Sequence, residues 1–187
     1  MAINVTLRGT EEAVKYYRML IDEYMEEKVK KGIGVIPNEK YRLYWENLPV
    51  WFKFRDHFNL LAEYGAVILT SLYTQAWCYD FDPSDPIRTL AENYASVFSN
   101  RPLRERAKMA LKLFRDYSLN GWILFINRSC KAVSGGVHEL RRIFVEETGI
   151  PALVFESDMG DPRFYSEVQV RTRIEAYLET LDRLSAA

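Results

Sequence analysis

The sequence predicts an α/β fold of three layers: a doubly wound sheet of about four parallel strands with helices on both faces. Three observations carry that expectation. Short apolar or β-prone runs at 41–45, 66–73, 122–127 and 152–156 alternate with longer stretches whose apolar residues recur at helical spacing. The runs at 66–73 and 122–126 are almost wholly apolar, as strands buried on both faces are. The three later runs end in polar or aromatic clusters, at the edge where open parallel sheets gather their ligands.

Thr10 before Glu11 and Glu12 reads as an N-cap with acids in the first turn, and Val14, Tyr17, Ile21, Tyr24 and Met25 follow at helical spacing. A helix is therefore expected over 11–31, ended by Gly32 and Gly34. Residues 1–35 form a leading helix and linker in what is expected to be a single domain over 1–187. Residues 41–45 are the first strand, broken by Asn47-Leu48-Pro49; an aromatic-rich helix with Trp51, Phe54, Phe58 and Leu61 then closes at Gly65. The second strand is expected over 66–73, with Thr74 to Asp80 at its carboxyl end. Asp85 and Pro86 set up helices near 86–98 and 102–118 before Asn120-Gly121 turns the chain into the third strand, 122–127.

Val137, Leu140 and Phe144 mark a helix over 134–148, with Ser134-Gly135-Gly136 as its expected start and Gly149 as its stop. The fourth strand, 152–156, leads to Asp161 as a cap and Pro162 as the first residue of a last helix carrying Val170, Ile174, Leu178, Leu181 and Leu184. Four parallel strands with such crossovers make a flavodoxin-like arrangement.

Composition bounds the function. Apolar residues make up 48% and charged residues 27% of the 187, which is the balance of a folded globular chain. Lys plus Arg total 25 against 26 Asp plus Glu, so no net field points to nucleic acid or an anionic membrane. The first residues lack the basic flank and apolar core of a secretory signal, and no apolar run is long enough to span a bilayer. A cytoplasmic location is expected. Two cysteines, Cys78 and Cys130, and two histidines, His57 and His138, at unrelated spacings make neither a disulfide framework nor a self-sufficient zinc site.

The chemistry concentrates where the third strand ends, at Asn127-Arg128-Ser129-Cys130-Lys131. Arg128, Lys131 and the start of a helix favour the thiolate of Cys130, the form required of a nucleophile or a metal ligand. The alternative is a cysteine that only packs. Ser134-Gly135-Gly136 presents backbone N–H groups that suit either a phosphate or an ordinary helix start, without the lysine of a P-loop. Glu156, Asp158 and Asp161 offer oxygens of the kind a cation takes, although turn formation and helix capping account for Asp161 without one. Cys78 lies between Trp77 and Tyr79, a packing environment.

Four stretches together resemble a known family. Asn127 to Lys131, Gly149-Ile150-Pro151, Glu156-Ser157-Asp158-Met159-Gly160-Asp161-Pro162-Arg163 and Gln169-Val170-Arg171-Thr172-Arg173-Ile174-Glu175-Ala176 are similar, in order, to the C-terminal region of 2-hydroxyacyl-CoA dehydratase and benzoyl-CoA reductase subunits. Tyr41 to Trp51 and Ser71 to Trp77 resemble other parts of the same region, so the likeness covers nearly the whole chain.

The resemblance implies a cytoplasmic enzyme of anaerobic metabolism, built of two related subunits, each with two flavodoxin-like halves around a 4Fe-4S iron-sulfur cluster. An ATP-hydrolysing activator protein supplies a low-potential electron, and a radical route eliminates water from a 2-hydroxyacyl-CoA; the related reductases reduce an aromatic acyl-CoA. It makes Cys130 a cluster ligand, and places Asn127, Arg128, Ser129, Lys131, Tyr73 and Trp77 around the cluster and thioester pocket.

A family subunit is about twice this length and holds its other cluster cysteines in an N-terminal half; a cluster needs about four thiolates or substitutes. Such a cluster is shared with that missing half or a second subunit, and the isolated chain is expected neither to carry it nor to act alone. A non-catalytic interaction or scaffold domain is the alternative of another class.

Overall fold

In the computed structural model, which describes residues 2–185, four strands form one parallel sheet: Tyr41–Glu46 (β1), Ala66–Thr70 (β2), Gly121–Asn127 (β3) and Ala152–Ser157 (β4). Their order is β2-β1-β3-β4. Every neighbouring pair is parallel, with Leu43 opposite Gly121 and Asn127 opposite Ser157. This is the doubly wound, flavodoxin-like architecture expected from the sequence, and all four carboxyl ends lie on one edge.

The chain divides into two units, Met1–Glu39 and Lys40–Ala187. The first contains α1 (Ala2–Thr6), α2 (Glu11–Met19), a π-helical stretch (Leu20–Met25) and α3 (Glu26–Lys30). Thr10 caps α2 through Ala13 N at 3.3 Å. The sequence predicts this long helix but carries no local sign of its wider π turns.

The second unit holds the sheet. Its helices are α4 (Phe54–Glu63), α5 (Leu72–Gln75), α6 (Pro86–Ser96), α7 (Leu103–Asp116), α8 (Lys131–Ser134), α9 (Val137–Thr148) and α10 (Glu167–Ser185). On one face Leu60 and Leu61 of α4 and Ile174, Leu178 and Leu181 of α10 pack on Leu43, Trp45, Ile123 and Phe125. On the other, Ala110 and Phe114 of α7 and Leu140 and Phe144 of α9 pack on Tyr44, Trp122 and Leu124. The Trp122 ring lies between Phe114 and Phe144, 4.1 Å from each and nearly parallel to both. Among the described residues no helix is long and apolar enough to cross a membrane.

Three expectations are corrected. The second strand stops at Thr70 rather than Tyr73, because Ser71 and Thr74 form a reciprocal capping box that starts α5. Tyr73 therefore sits on a helical turn. The helix expected over 134–148 is interrupted: α8 ends at Ser134 and α9 begins after Gly136, whose φ of +80° is left-handed. A Cβ on Gly136 would meet Leu103 Cδ1 at 2.8 Å, so glycine serves there in both conformation and space. Asp161 and Pro162 open only a 3-10 turn, Pro162–Phe164, before α10 starts at Glu167.

Candidate functional site

Cys130 lies at the carboxyl edge of the sheet, half-buried, on the turn that joins β3 to α8. Its N–H is accepted by Asn127 O at 3.3 Å, and its carbonyl accepts Ser134 N at 3.1 Å. Beneath the turn, the buried Asn127 side chain gathers three donors on Oδ1: Ser129 N at 3.3 Å, Ser129 Oγ at 3.1 Å and Met159 N at 3.2 Å. Arg128 N donates to Ser157 O at 2.9 Å. The loop after β3 is thus tied to the loop after β4.

The end of β1 holds the turn from the other side. Ser134 Oγ accepts Asn127 N at 2.8 Å and Asn47 Nδ2 at 3.0 Å, and donates to Asn127 O at 2.9 Å. Asn47 reaches it from a left-handed backbone, φ +87°, which Asn tolerates better than most residues. Glu46 is fully buried and pairs with Arg106 of α7, whose Nη2 also donates to Val133 O in α8 at 2.6 Å. Tyr44 OH donates to Glu46 Oε2; burial, then the adjacent carboxylate, pushes this phenol well above its usual range, so it stays a donor.

The other expected site residues distribute unevenly. Ser129 and Lys131 are exposed beside Cys130; Arg128, also exposed, pairs with Glu156 and lies 4.5 Å over the Phe164 ring. Tyr73 and Trp77 meet edge to face at 6.3 Å on the β2 side, two strands from β3. Trp51 connects them to the Cys130 side, its ring 6.2 Å from that of Tyr73 and its backbone N–H accepted by Met159 O at 3.1 Å.

Asp158 accepts Gly160 N at 2.9 Å and Asp161 N at 3.0 Å, and these N–H groups, Gly160 first, hold its carboxyl below the usual range. Asp161 pairs with Arg163. Cys78 and Cys130 are both free, and Cys78 opens on a separate cavity of about 460 Å³ floored by Leu72, Phe98 and Met109. Among the described residues no three His, Cys, Asp or Glu side chains form a metal-binding group.

Of the histidines, His138 is exposed on α9. His57 is buried among Trp45, Phe155 and Tyr165, with Nε2 2.9 Å from Tyr165 OH. Burial pushes the imidazole down to about 4 and the Tyr165 phenol up to about 12.

Sequence reasoning missed Glu46, Asn47, Arg106 and the anchoring role of Ser134. Two signals pointed to them. Glu46 and Asn47 follow the apolar and aromatic run Leu43-Tyr44-Trp45, as the polar residues after β3 follow its apolar run. Arg106 occupies the inward stripe of Leu103, Ala107, Ala110 and Phe114, where a charge requires a partner.

The chain as a whole is similar to known proteins. A family model described as "2-hydroxyglutaryl-CoA dehydratase, D-component" matches residues 1–181. A benzoyl-CoA reductase subunit of Thauera aromatica is 35% identical over 187 residues, covering 94% of this chain and 43% of its own length. The (R)-phenyllactyl-CoA dehydratase alpha subunit of Clostridium sporogenes is 36% identical over 182 residues, 97% of this chain and 44% of its own. The (R)-2-hydroxyglutaryl-CoA dehydratase alpha subunit of Acidaminococcus fermentans is 31% identical over 183 residues, 97% of this chain and 38% of its own. The chain therefore spans less than half the length of the curated relatives it matches. With residues 1–181 matched and the parallel α/β fold in place, the chain belongs to the 2-hydroxyglutaryl-CoA dehydratase D-component family.

Proposed function

We propose that this chain works in the cytoplasm as part of a 2-hydroxyacyl-CoA dehydratase-type enzyme. The enzyme eliminates water from a 2-hydroxyacyl-CoA by a radical route after ATP-driven electron transfer from an activator protein. The observation that carries the proposal is the mounting of Cys130: a half-buried thiol at the carboxyl edge of the sheet, on a turn pinned from β1, β3 and β4.

Cys130 would be this chain's thiolate ligand to an iron-sulfur cluster of 4Fe-4S type. The donor set fits one corner only, since a cluster takes about four ligands and Cys78 lies at the separate cavity. Two buried polar atoms at the ends of β3 and β4, Asn127 Nδ2 and Ser157 Oγ, have no hydrogen-bond partner among the described residues. Polar groups close behind a ligand are suited to tuning a metal-sulfur centre. When bound, the cluster supplies one-electron chemistry to the thioester.

Around it, Arg128, Ser129 and Lys131 line the cluster and thioester pocket, Asn127 shapes it from beneath, and Tyr73 and Trp77 form part of its wall. The remaining ligands come from the portion of the subunit that the relatives carry beyond the matched region, or from a second subunit.

A benzoyl-CoA-type reductase subunit is the second reading, supported by the 35% identity to the Thauera reductase subunit, which stands beside 36% to the phenyllactyl-CoA dehydratase subunit. The test is anaerobic assembly of this chain with its complementary subunit portion, the activator and ATP. Release of an enoyl-CoA from a 2-hydroxyacyl-CoA supports the dehydratase, and ring reduction of benzoyl-CoA supports the reductase. An assembled complex that consumes neither contradicts both.

A further inference from the structure

Four residues of helix follow Cys130, too few to hold helical geometry by propagation alone. The turn is held from outside, and its second anchor is a charged one. Arg106 Nη2 donates to Val133 O at 2.6 Å while Nε donates to Glu46 Oε1 at 2.9 Å and Nη2 reaches the same carboxylate oxygen. Tyr44 OH occupies the other oxygen, and the guanidinium lies 5.4 Å over the Phe98 ring.

Glu46 is 0% and Arg106 3% exposed. Desolvation of such a pair consumes most of its Coulombic gain, and apolar side chains of similar volume commonly replace it at no loss of stability. Apolar side chains would, however, offer Val133 O no donor. The pair's distinctive contribution is therefore the position of the turn.

We infer that Glu46 and Arg106 are positioning residues for Cys130: the pair clamps the Lys131–Ser134 turn through the Val133 carbonyl and thereby fixes where the thiol stands at the sheet edge. The inference rests on the proposed function only in taking Cys130 as the working thiol.

The test uses the metal-free full chain with Cys78→Ser as the parent. Glu46→Leu/Arg106→Met and, separately, Arg106→Lys are compared with it. Three quantities are read: the denaturation midpoint, amide exchange resolved along the chain, and the rate of iodoacetamide alkylation at Cys130 by mass spectrometry.

The double variant removes the acceptor of the buried Tyr44 hydroxyl, so its midpoint is expected to fall modestly, and protection should be lost at the Ser134 and Gly135 amides while β1 and the body of α7 keep theirs. Its Cys130 should be alkylated about tenfold faster as the turn opens locally. Arg106→Lys, whose single ammonium can serve Glu46 or Val133 but not both forks, should fall between.

Parent-like alkylation and exchange over 131–135 in the double variant would overturn the inference. So would protection lost equally through α7 and β1, which would make the pair a general structural element. If the double variant does not fold, Arg106→Lys decides: a raised rate at an unchanged midpoint supports the clamp, and an unchanged rate overturns it. No readout needs the cluster, so failure of the cluster proposal and failure of the clamp give different results.

Discussion

Asn127 Oδ1 accepts the backbone N–H of Met159 at 3.2 Å, a bond that joins the loop after β3 to the loop after β4. The same buried oxygen serves Ser129 N and Oγ. Asn127→Ala strips all three donors of their acceptor at once, and at roughly 1 kcal/mol per bond plus the cost of stranded N–H groups it should destabilise by about 2–4 kcal/mol. Urea denaturation measures that loss. Amide exchange should quicken first at Ser129 and Met159; an unchanged midpoint with unchanged exchange there would remove Asn127 as the tie between the loops.

His57 makes the pH dependence specific. Its buried imidazole is neutral in the fold, pushed down to about 4, whereas in the unfolded chain it titrates near 6.5. The unfolded state therefore binds the extra proton first. Stability is full above pH 6.5 and falls as pH drops toward 4, by up to about 3 kcal/mol at the lower end. Asp56 opposes and Lys53 assists the depression, both weaker than burial. Denaturation midpoints between pH 7.5 and 4.5 should slope downward in the parent and run nearly flat in His57→Leu. Equal slopes would show that another group governs this window.

Gly121 opens β3 where three side chains close in. An added Cβ would stand 2.5 Å from Leu43 Cδ2, 2.9 Å from Tyr177 OH and 3.0 Å from Leu181 Cδ1. Tyr177 OH is also fixed, accepting Trp122 N at 2.6 Å and donating to Pro151 O at 3.0 Å. Gly121→Ala should cost about 1–3 kcal/mol by overpacking. A thermal midpoint at or above the parent's would mean that α10 shifts freely from the sheet.

The four strands and their parallel order are legible because each apolar run is bounded by local turn chemistry and separated by helical periodicity. The strand end at Ser71 is hidden because the apolar run continues through Leu72 and Tyr73, while the capping box that ends the strand depends on two hydroxyls three residues apart. The break at Gly136 has a non-local reason: its left-handed turn accommodates Leu103, far away in sequence. The position of Cys130 at a strand's carboxyl end can be read locally. Its mounting cannot, since Glu46, Asn47 and Arg106 meet the turn only after β1 and β3 pair and α7 packs across them. A lone Arg in an apolar stripe signals that a partner exists, but not which one.

Cys130 is proposed as the one thiolate that this chain contributes to a shared iron-sulfur cluster. Iron counted per complex, after anaerobic assembly with the complementary subunit portion, tests it most directly when Cys130→Ala is set beside Cys78→Ala. Cys130→Ala is expected to lose most of the iron and visible absorbance while Cys78→Ala keeps both. Full iron and absorbance in the assembled Cys130→Ala complex would contradict the proposal.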